Sequence, residues 1–261
     1  MEKFKSNPYN FNNNLIESND IINIMKSLNI NDFKINNLSL YQTAFIHKSY
    51  CKLMDYEEYE CPTNCLPLQD ESYETIEFLG DAILGSIVCS YIYKRFNLIH
   101  NQNEGFLTKL KIRLVCGEYL CSLSKHLNFE KYLIISKHIE DNCAGRVNQN
   151  ILEDVFEAFI GAIYLDHNYQ VAEDFLLKII DKYVDFTDIL LKDTNYKDQI
   201  IRYLKQTFDE HPKYSHEKID DKYYCNFTFK ETLICRGEGV SKKKSEQNVS
   251  KKALIHYNVL T

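Results

Sequence analysis

The stretch Tyr73-Glu74-Thr75-Ile76-Glu77-Phe78-Leu79-Gly80-Asp81-Ala82-Ile83-Leu84 decides how this chain folds. Glu77 and Asp81 stand at i and i+4, so they project from one face of a helix. The residues that follow, Ile83-Leu84-Gly85-Ser86-Ile87-Val88-Cys89, are apolar nearly all round, as in a helix buried inside a domain. Farther along, Ile151-Leu152-Glu153-Asp154-Val155-Phe156-Glu157-Ala158-Phe159 repeats the arrangement, with Asp154 and Glu157 at i and i+3 in an apolar run that continues to Leu165.

Desolvating such carboxylates is costly unless something positive lies among them. Four carboxylates converging on hard divalent cations is the simplest solution, and Mg²⁺ takes oxygen ligands at about 2.0–2.1 Å while keeping several waters. Two such ions roughly 3.5–4 Å apart can activate a water and steady the leaving oxygen of a phosphodiester. Spacing alone also suits a solvated acidic stripe. The apolar flanks and the second occurrence of the pattern add weight to the metal, and the residues by themselves leave both readings open.

These residues also carry a family resemblance. Glu74-x-x-Glu77-Phe78-Leu79-Gly80-Asp81-Ala82-Ile83-Leu84 resembles the signature of the ribonuclease III endonucleases. Upstream lies a His-basic-Ser element, Ala44-Phe45-Ile46-His47-Lys48-Ser49-Tyr50. Downstream come Glu104-Gly105-Phe106-Leu107-Thr108-Lys109-Leu110-Lys111 and the block from Ile151 to Asp166. The motifs stand in family order across an expected endonuclease domain at residues 20–186, after an Asn-rich N-terminus, 1–19, read as flexible.

The resemblance implies that Glu77, Asp81, Asp154 and Glu157 are the catalytic, metal-ligating set. Glu74 and Glu104 match further acids near the active site with a less direct role. It also implies Mg²⁺ as cofactor, with Mn²⁺ able to substitute, and an all-α domain that forms a homodimer through the signature helix. Such a dimer cuts both strands of double-stranded RNA by a metal-activated water, leaving 5′-phosphate and 3′-hydroxyl ends with a short 3′ overhang.

The chemistry is self-sufficient, because a bound cation lowers the pKa of water and neutralises charge in the transition state. No Ser-His-Asp or Cys-His set is needed, and His47 reads as a packed or capping residue. Tyr73 and Thr75 depart from the Asn and Arg that the family usually places around the first signature Glu. Glu153 adds an acid beside Asp154; adjacent helical residues point about 100° apart, so it is expected to be solvated rather than a fifth ligand.

Residues 195–261 change character, with 13 Lys and Arg against 9 Asp and Glu, whereas residues 1–194 have 18 against 28. A basic segment on an acidic enzyme points to a polyanionic partner. The pattern runs helix (Tyr196 to Phe208), strands around Tyr223–Phe229 and Glu231–Gly239, then a helix capped by Ser241 and opened by Lys242-Lys243-Lys244. A helix start with three ammonium groups and free N–H donors suits phosphates.

This α-β-β-β-α order, with Gly237-x-Gly239-x-Ser241-Lys242-Lys243-Lys244, resembles a double-stranded-RNA-binding domain. By that resemblance Lys242 and Lys243 bind phosphate, and Lys244 is an added lysine of the same run. Two departures weaken minor-groove reading: Ile201 and Arg202 stand where a polar reader is usual, and Lys218-Ile219-Asp220-Asp221-Lys222 replaces a Gly-Pro-x-His loop.

The chain therefore reads as multidomain, an all-α endonuclease domain followed by a linker at 187–194 and a small α+β domain at 195–261. No membrane span and no secretory leader are evident, so an intracellular protein of the cytoplasm or nucleus, not secreted, is expected. The nine cysteines read as reduced, buried thiols. Cys61-Pro62-Thr63-Asn64-Cys65 falls in a 51–72 insertion and lacks a second pair for zinc. The competing reading is a non-cleaving, sequestering binder of double-stranded RNA that keeps the fold; retention of all four acids favours cleavage.

Overall fold

The computed structural model describes residues 6–186 and 195–260. It divides into two units, Met1–Phe186 and Thr187–Thr261. The expected linker, 187–194, lies outside the described residues.

The first unit is helical. α1 (Ser18–Ser27) opens with a reciprocal cap between Glu17 and Asp20, and α2 (Leu38–Thr43) is capped by Asn37. α3 (Glu74–Ile92) carries the first acidic cluster and runs into a π-helical turn, Tyr93–Asn97. α4 (Glu104–Leu114), α5 (Gly117–His126) and the short α6 (Lys137–Asn142) follow. α7 (Gln149–Asp166), capped by Asn148, carries the second cluster, and α8 (Tyr169–Tyr183) completes the unit.

α7 is the central helix. Val155, Phe156, Ala158, Phe159, Ile160, Ala162 and Ile163 are all fully buried. Rings of Phe45, Phe129, Tyr41 and Phe175 close on Phe159 at centroid distances of 4.9–6.0 Å. Each such side chain contributes about 1.5–3 kcal/mol through burial.

α3 lies across α7 with almost no space between the backbones. A Cβ at Gly80 would overlap the Glu157 carbonyl oxygen, and one at Gly161 would stand 2.5 Å from the Ile76 oxygen. Two glycines, one per helix, set this crossing.

The other side of α3 is uncovered. Phe78 is 80% exposed and Tyr93 50%, with Ala82 and Cys89 also open. The continuous helix Glu74–Asn97 is long and apolar enough to cross a membrane by composition. Its buried face, with Ile76, Leu84, Ile87 and Val88, packs inside a helical domain that includes α7.

Of the tail expected to be flexible over residues 1–19, the described part, residues 6–19, packs on the domain. Tyr9, Asn10, Asn13 and Ile16 are buried. Asn13 donates through Nδ2 to Ile135 O at 3.0 Å and accepts from Ile135 N at 3.2 Å, while Asn10 donates to Ile135 O at 3.1 Å. Here the asparagine amides supply the hydrogen bonds that an extended backbone segment would otherwise lack. Low hydrophobicity read as mobility conceals this role.

All nine cysteines are free thiols. Cys51, Cys121 and Cys225 are buried as expected, but Cys61 and Cys89 are exposed. The 51–72 insertion folds back on the domain through Tyr50, whose hydroxyl donates to Leu66 O at 2.7 Å.

The second unit has α9 (Tyr196–Phe208), β1 (Lys213–Ile219), β2 (Lys222–Phe229), β3 (Thr232–Gly239) and α10 (Lys242–His256). The strands form an antiparallel sheet in the order β1-β2-β3. Ile200 and Leu204 of α9, Cys225, Phe227 and Phe229 of β2, and Val249, Ala253 and Leu254 of α10 form its core. Lys218–Lys222 is a tight hairpin, with Ile219 paired to Lys222 and Asp220 at φ 51°.

Candidate active site

The glycine crossing of α3 and α7 is what assembles the site. Glu74, Glu77 and Asp81 rise from α3, and Glu153, Asp154 and Glu157 from α7. Their charges act on one another. Glu157 is 8% exposed. Burial, then Asp81, Glu153, Glu77 and Asp154, push its carboxyl up to about 8. Glu77 is also raised, by burial and then by Asp154, Glu74 and Asp81. Burial likewise raises Asp154, against the opposing hydrogen bond from Tyr73.

A lysine at the edge of the cluster is already engaged. Lys48 Nζ donates to Glu74 Oε1 at 2.8 Å, and that bond holds the Glu74 carboxyl below its usual range. Lys48 also feels Asp154 and Glu77, more weakly. Glu74 thus forms the rim of the acidic cluster, anchored by the His-Lys-Ser element.

His47 caps rather than catalyses. Its Nδ1 accepts from Ser49 N at 3.2 Å, its ring packs on Tyr73 at 5.8 Å, and burial lowers its pKa. Tyr73, in turn, donates from its hydroxyl to Asp154 Oδ2 at 2.9 Å. The sequence marks Tyr73 as unusual but gives it no task; a phenol reaching from the base of α3 to α7 is visible only in three dimensions.

Two other acids differ in placement. Glu104 begins α4 and accepts from Thr108 Oγ1 at 2.7 Å; it is not among the main charges that shift Glu77, Asp154 and Glu157. Glu153 is half-buried rather than solvated. Its carboxylate lies against Gly117, where a Cβ would stand 2.5 Å from Glu153 Cδ. The missing side chain of Gly117 makes the space for it.

Asp81 is exposed and borders a groove of about 390 Å³ lined also by Gly85, Ser86, Cys89 and Lys111. Among the described residues no three His, Cys, Asp or Glu side chains are already gathered to hold a metal ion. The four carboxylates share a field without meeting at one point. Their donor set nevertheless fits a hard cation: all are oxygen ligands, and Glu157 is buried among like charges with no basic partner among the described residues.

In the second unit, Ser241 caps α10 by accepting from Lys244 N at 3.2 Å. Lys242, Lys243 and Lys244 are exposed at the helix start, and none makes an ion pair among the described residues. Gly237 and Gly239 bring β3 against this helix; a Cβ at Gly237 would stand 2.5 Å from Val249 N, and one at Gly239 2.6 Å from Ser245 N. Arg202 on α9 pairs with Asp198 at 3.0 Å.

Known proteins share both halves of this arrangement. Residues 37–183 match the family described as ribonuclease-III-like, and residues 196–257 match the double-stranded RNA binding motif. A probable ribonuclease 3 of Acanthamoeba polyphaga mimivirus is 34% identical over the whole chain, which spans 46% of that relative's length. Ribonuclease 3 of Borreliella afzelii is 31% identical over 84% of the chain and 85% of its own length. The nuclease domain of ribonuclease III from Campylobacter jejuni aligns over 62% of the chain and 96% of that domain, with 28% identity and a TM-score of 0.49. With two acidic helices crossed at paired glycines and family matches over both units, this chain belongs to the ribonuclease III family.

Proposed function

We propose that the protein is a divalent-cation-dependent endoribonuclease that hydrolyses double-stranded RNA, leaving 5′-phosphate and 3′-hydroxyl ends with short 3′ overhangs. The observation that carries this reading is the crossing of α3 and α7 at Gly80 and Gly161, which sets the acids of one helix beside those of the other and leaves the Glu157 carboxyl buried, pushed up to about 8 by that burial and then by Asp81, Glu153, Glu77 and Asp154. Glu77, Asp81, Asp154 and Glu157 would hold Mg²⁺ or Mn²⁺. When bound, the cation supplies charge neutralisation and a lowered pKa for water at the scissile phosphate.

The chain's own residues do the rest. Lys48 keeps Glu74 ionised at the rim. The lysines opening α10 take duplex phosphates without reading sequence. The apolar face of α3, with Phe78, Ala82, Cys89 and Tyr93 open, suits a second copy of the chain, so that two active sites address the two strands.

The test is Glu157→Gln in the full chain. Cleavage of duplex RNA is expected to be lost while duplex binding in EDTA is retained. Wild-type cutting by the Gln variant would remove Glu157 and its cluster from the reaction.

A further inference from the structure

Of the four carboxylates, Asp154 alone is held by a hydrogen-bond donor among the described residues. Tyr73 is 2% exposed and donates its hydroxyl proton to Asp154 Oδ2 at 2.9 Å. Tyr73 is itself fixed at two further points. Its backbone N–H donates to Ile46 O at 2.8 Å. Its ring lies against the His47 ring at 5.8 Å, with an interplanar angle of 56°. His47, in turn, is locked by accepting from Ser49 N at 3.2 Å and by donating its backbone N–H to Ile134 O at 2.9 Å.

A carboxylate on a helix can rotate among several orientations, and ordering a metal ligand in advance removes that freedom from the binding step. We propose that Tyr73 is a positioning residue for the cation, holding Asp154 by Oδ2 in one orientation and leaving Oδ1 for the ion. The inference rests on the reading of Asp154 as a ligand given under Proposed function. It assigns a task to the position where the chain departs from the Asn usual in the family. The hydrogen bond joins the residue that caps α3 to Asp154 on α7.

Tyr73→Phe in the full chain keeps the ring and removes the bond. The probe is Mn²⁺ without RNA, its free fraction followed by electron paramagnetic resonance. Melting temperature and duplex binding are measured in EDTA alongside. The variant is expected to bind Mn²⁺ about tenfold more weakly, in the range typical of losing a group that orients a metal ligand. Melting and duplex binding in EDTA should match wild type, and the cleavage rate should recover at saturating Mn²⁺.

Equal Mn²⁺ affinity in the variant and wild type would overturn the assignment. So would a parallel fall in melting temperature and duplex binding, which would make the phenol a structural strut only. Failure of the wild type itself to bind Mn²⁺ would instead sink the cation-dependent reading on which the inference stands.

Discussion

Gly80 lies directly on the backbone of Glu157: a Cβ at Gly80 would overlap the Glu157 carbonyl oxygen and stand 2.6 Å from its carbon. Backbone cannot swing aside as a side-chain tip can. Gly80→Ala must therefore push α3 and α7 apart at the level of Glu77, Asp81, Asp154 and Glu157. The expected result is a loss of about 3 kcal/mol in unfolding free energy. Cleavage should fall on the order of 100-fold in the fraction that stays folded, as an ångström-scale misplacement of catalytic groups does. Chemical denaturation and single-turnover cleavage measure the two effects. Wild-type stability would show that the helices do not touch there.

The buried Glu157 carboxyl gives a pH signature. Its folded pKa of about 8 lies above the 4.5 of an ordinary glutamate. Between those values the folded chain binds more protons than the unfolded one, so this group's contribution is complete below the lower value and declines as pH rises toward 8. In EDTA the protein should lose at least about 1 kcal/mol of stability from this group across that window. Glu157→Gln should flatten the dependence, and saturating Mg²⁺ should reverse it. Denaturation midpoints from pH 5 to 8 test this; identical slopes in the wild type and the Gln variant would contradict it.

Much of this architecture was legible in the chain. The i, i+4 and i, i+3 acids in apolar runs located both site helices, and the basic, glycine-punctuated segment located the second domain. What was hidden depends on contacts across helices. The spacing of Glu153 suggested solvent, but Gly117 on α5 leaves it a half-buried berth. The Asn-rich composition of the N-terminus suggested flexibility, but Asn10 and Asn13 bond to Ile135, far along the chain. Gly80 and Gly161 look like ordinary motif glycines until each is seen facing the other helix's backbone. No local pattern encodes such partners.

The berth of Glu153 can be tested on its own. Gly117→Ala places a Cβ where the Glu153 carboxylate now lies. A carboxylate can rotate, so the expected loss is small, about 1 kcal/mol. The penalty should vanish in the Gly117→Ala, Glu153→Ala double variant, as a double-mutant cycle of melting curves would show. A penalty that persists would place the strain elsewhere on α5.

The exposed start of α10 should act through phosphates alone. Changing Lys242 and Lys243 together to Ala is expected to weaken duplex binding and to lower the slope of log K against log salt by about two. Fluorescence anisotropy across a salt series measures the slope. An unchanged slope would remove these lysines from the RNA interface. Because a tight hairpin occupies the β1–β2 connection, little sequence preference should remain after the charge is gone.

The central claim is cation-dependent cleavage of duplex RNA by the α3–α7 carboxylates. The most direct measurement incubates the purified full chain with end-labelled double-stranded RNA and matched single-stranded RNA, in Mg²⁺ and in EDTA. The account predicts cutting of the duplex only, only with Mg²⁺, into fragments bearing 5′-phosphates. Binding of the duplex without any cutting, in Mg²⁺ and again in Mn²⁺, would contradict it and leave a duplex-binding protein with an unused set of acids.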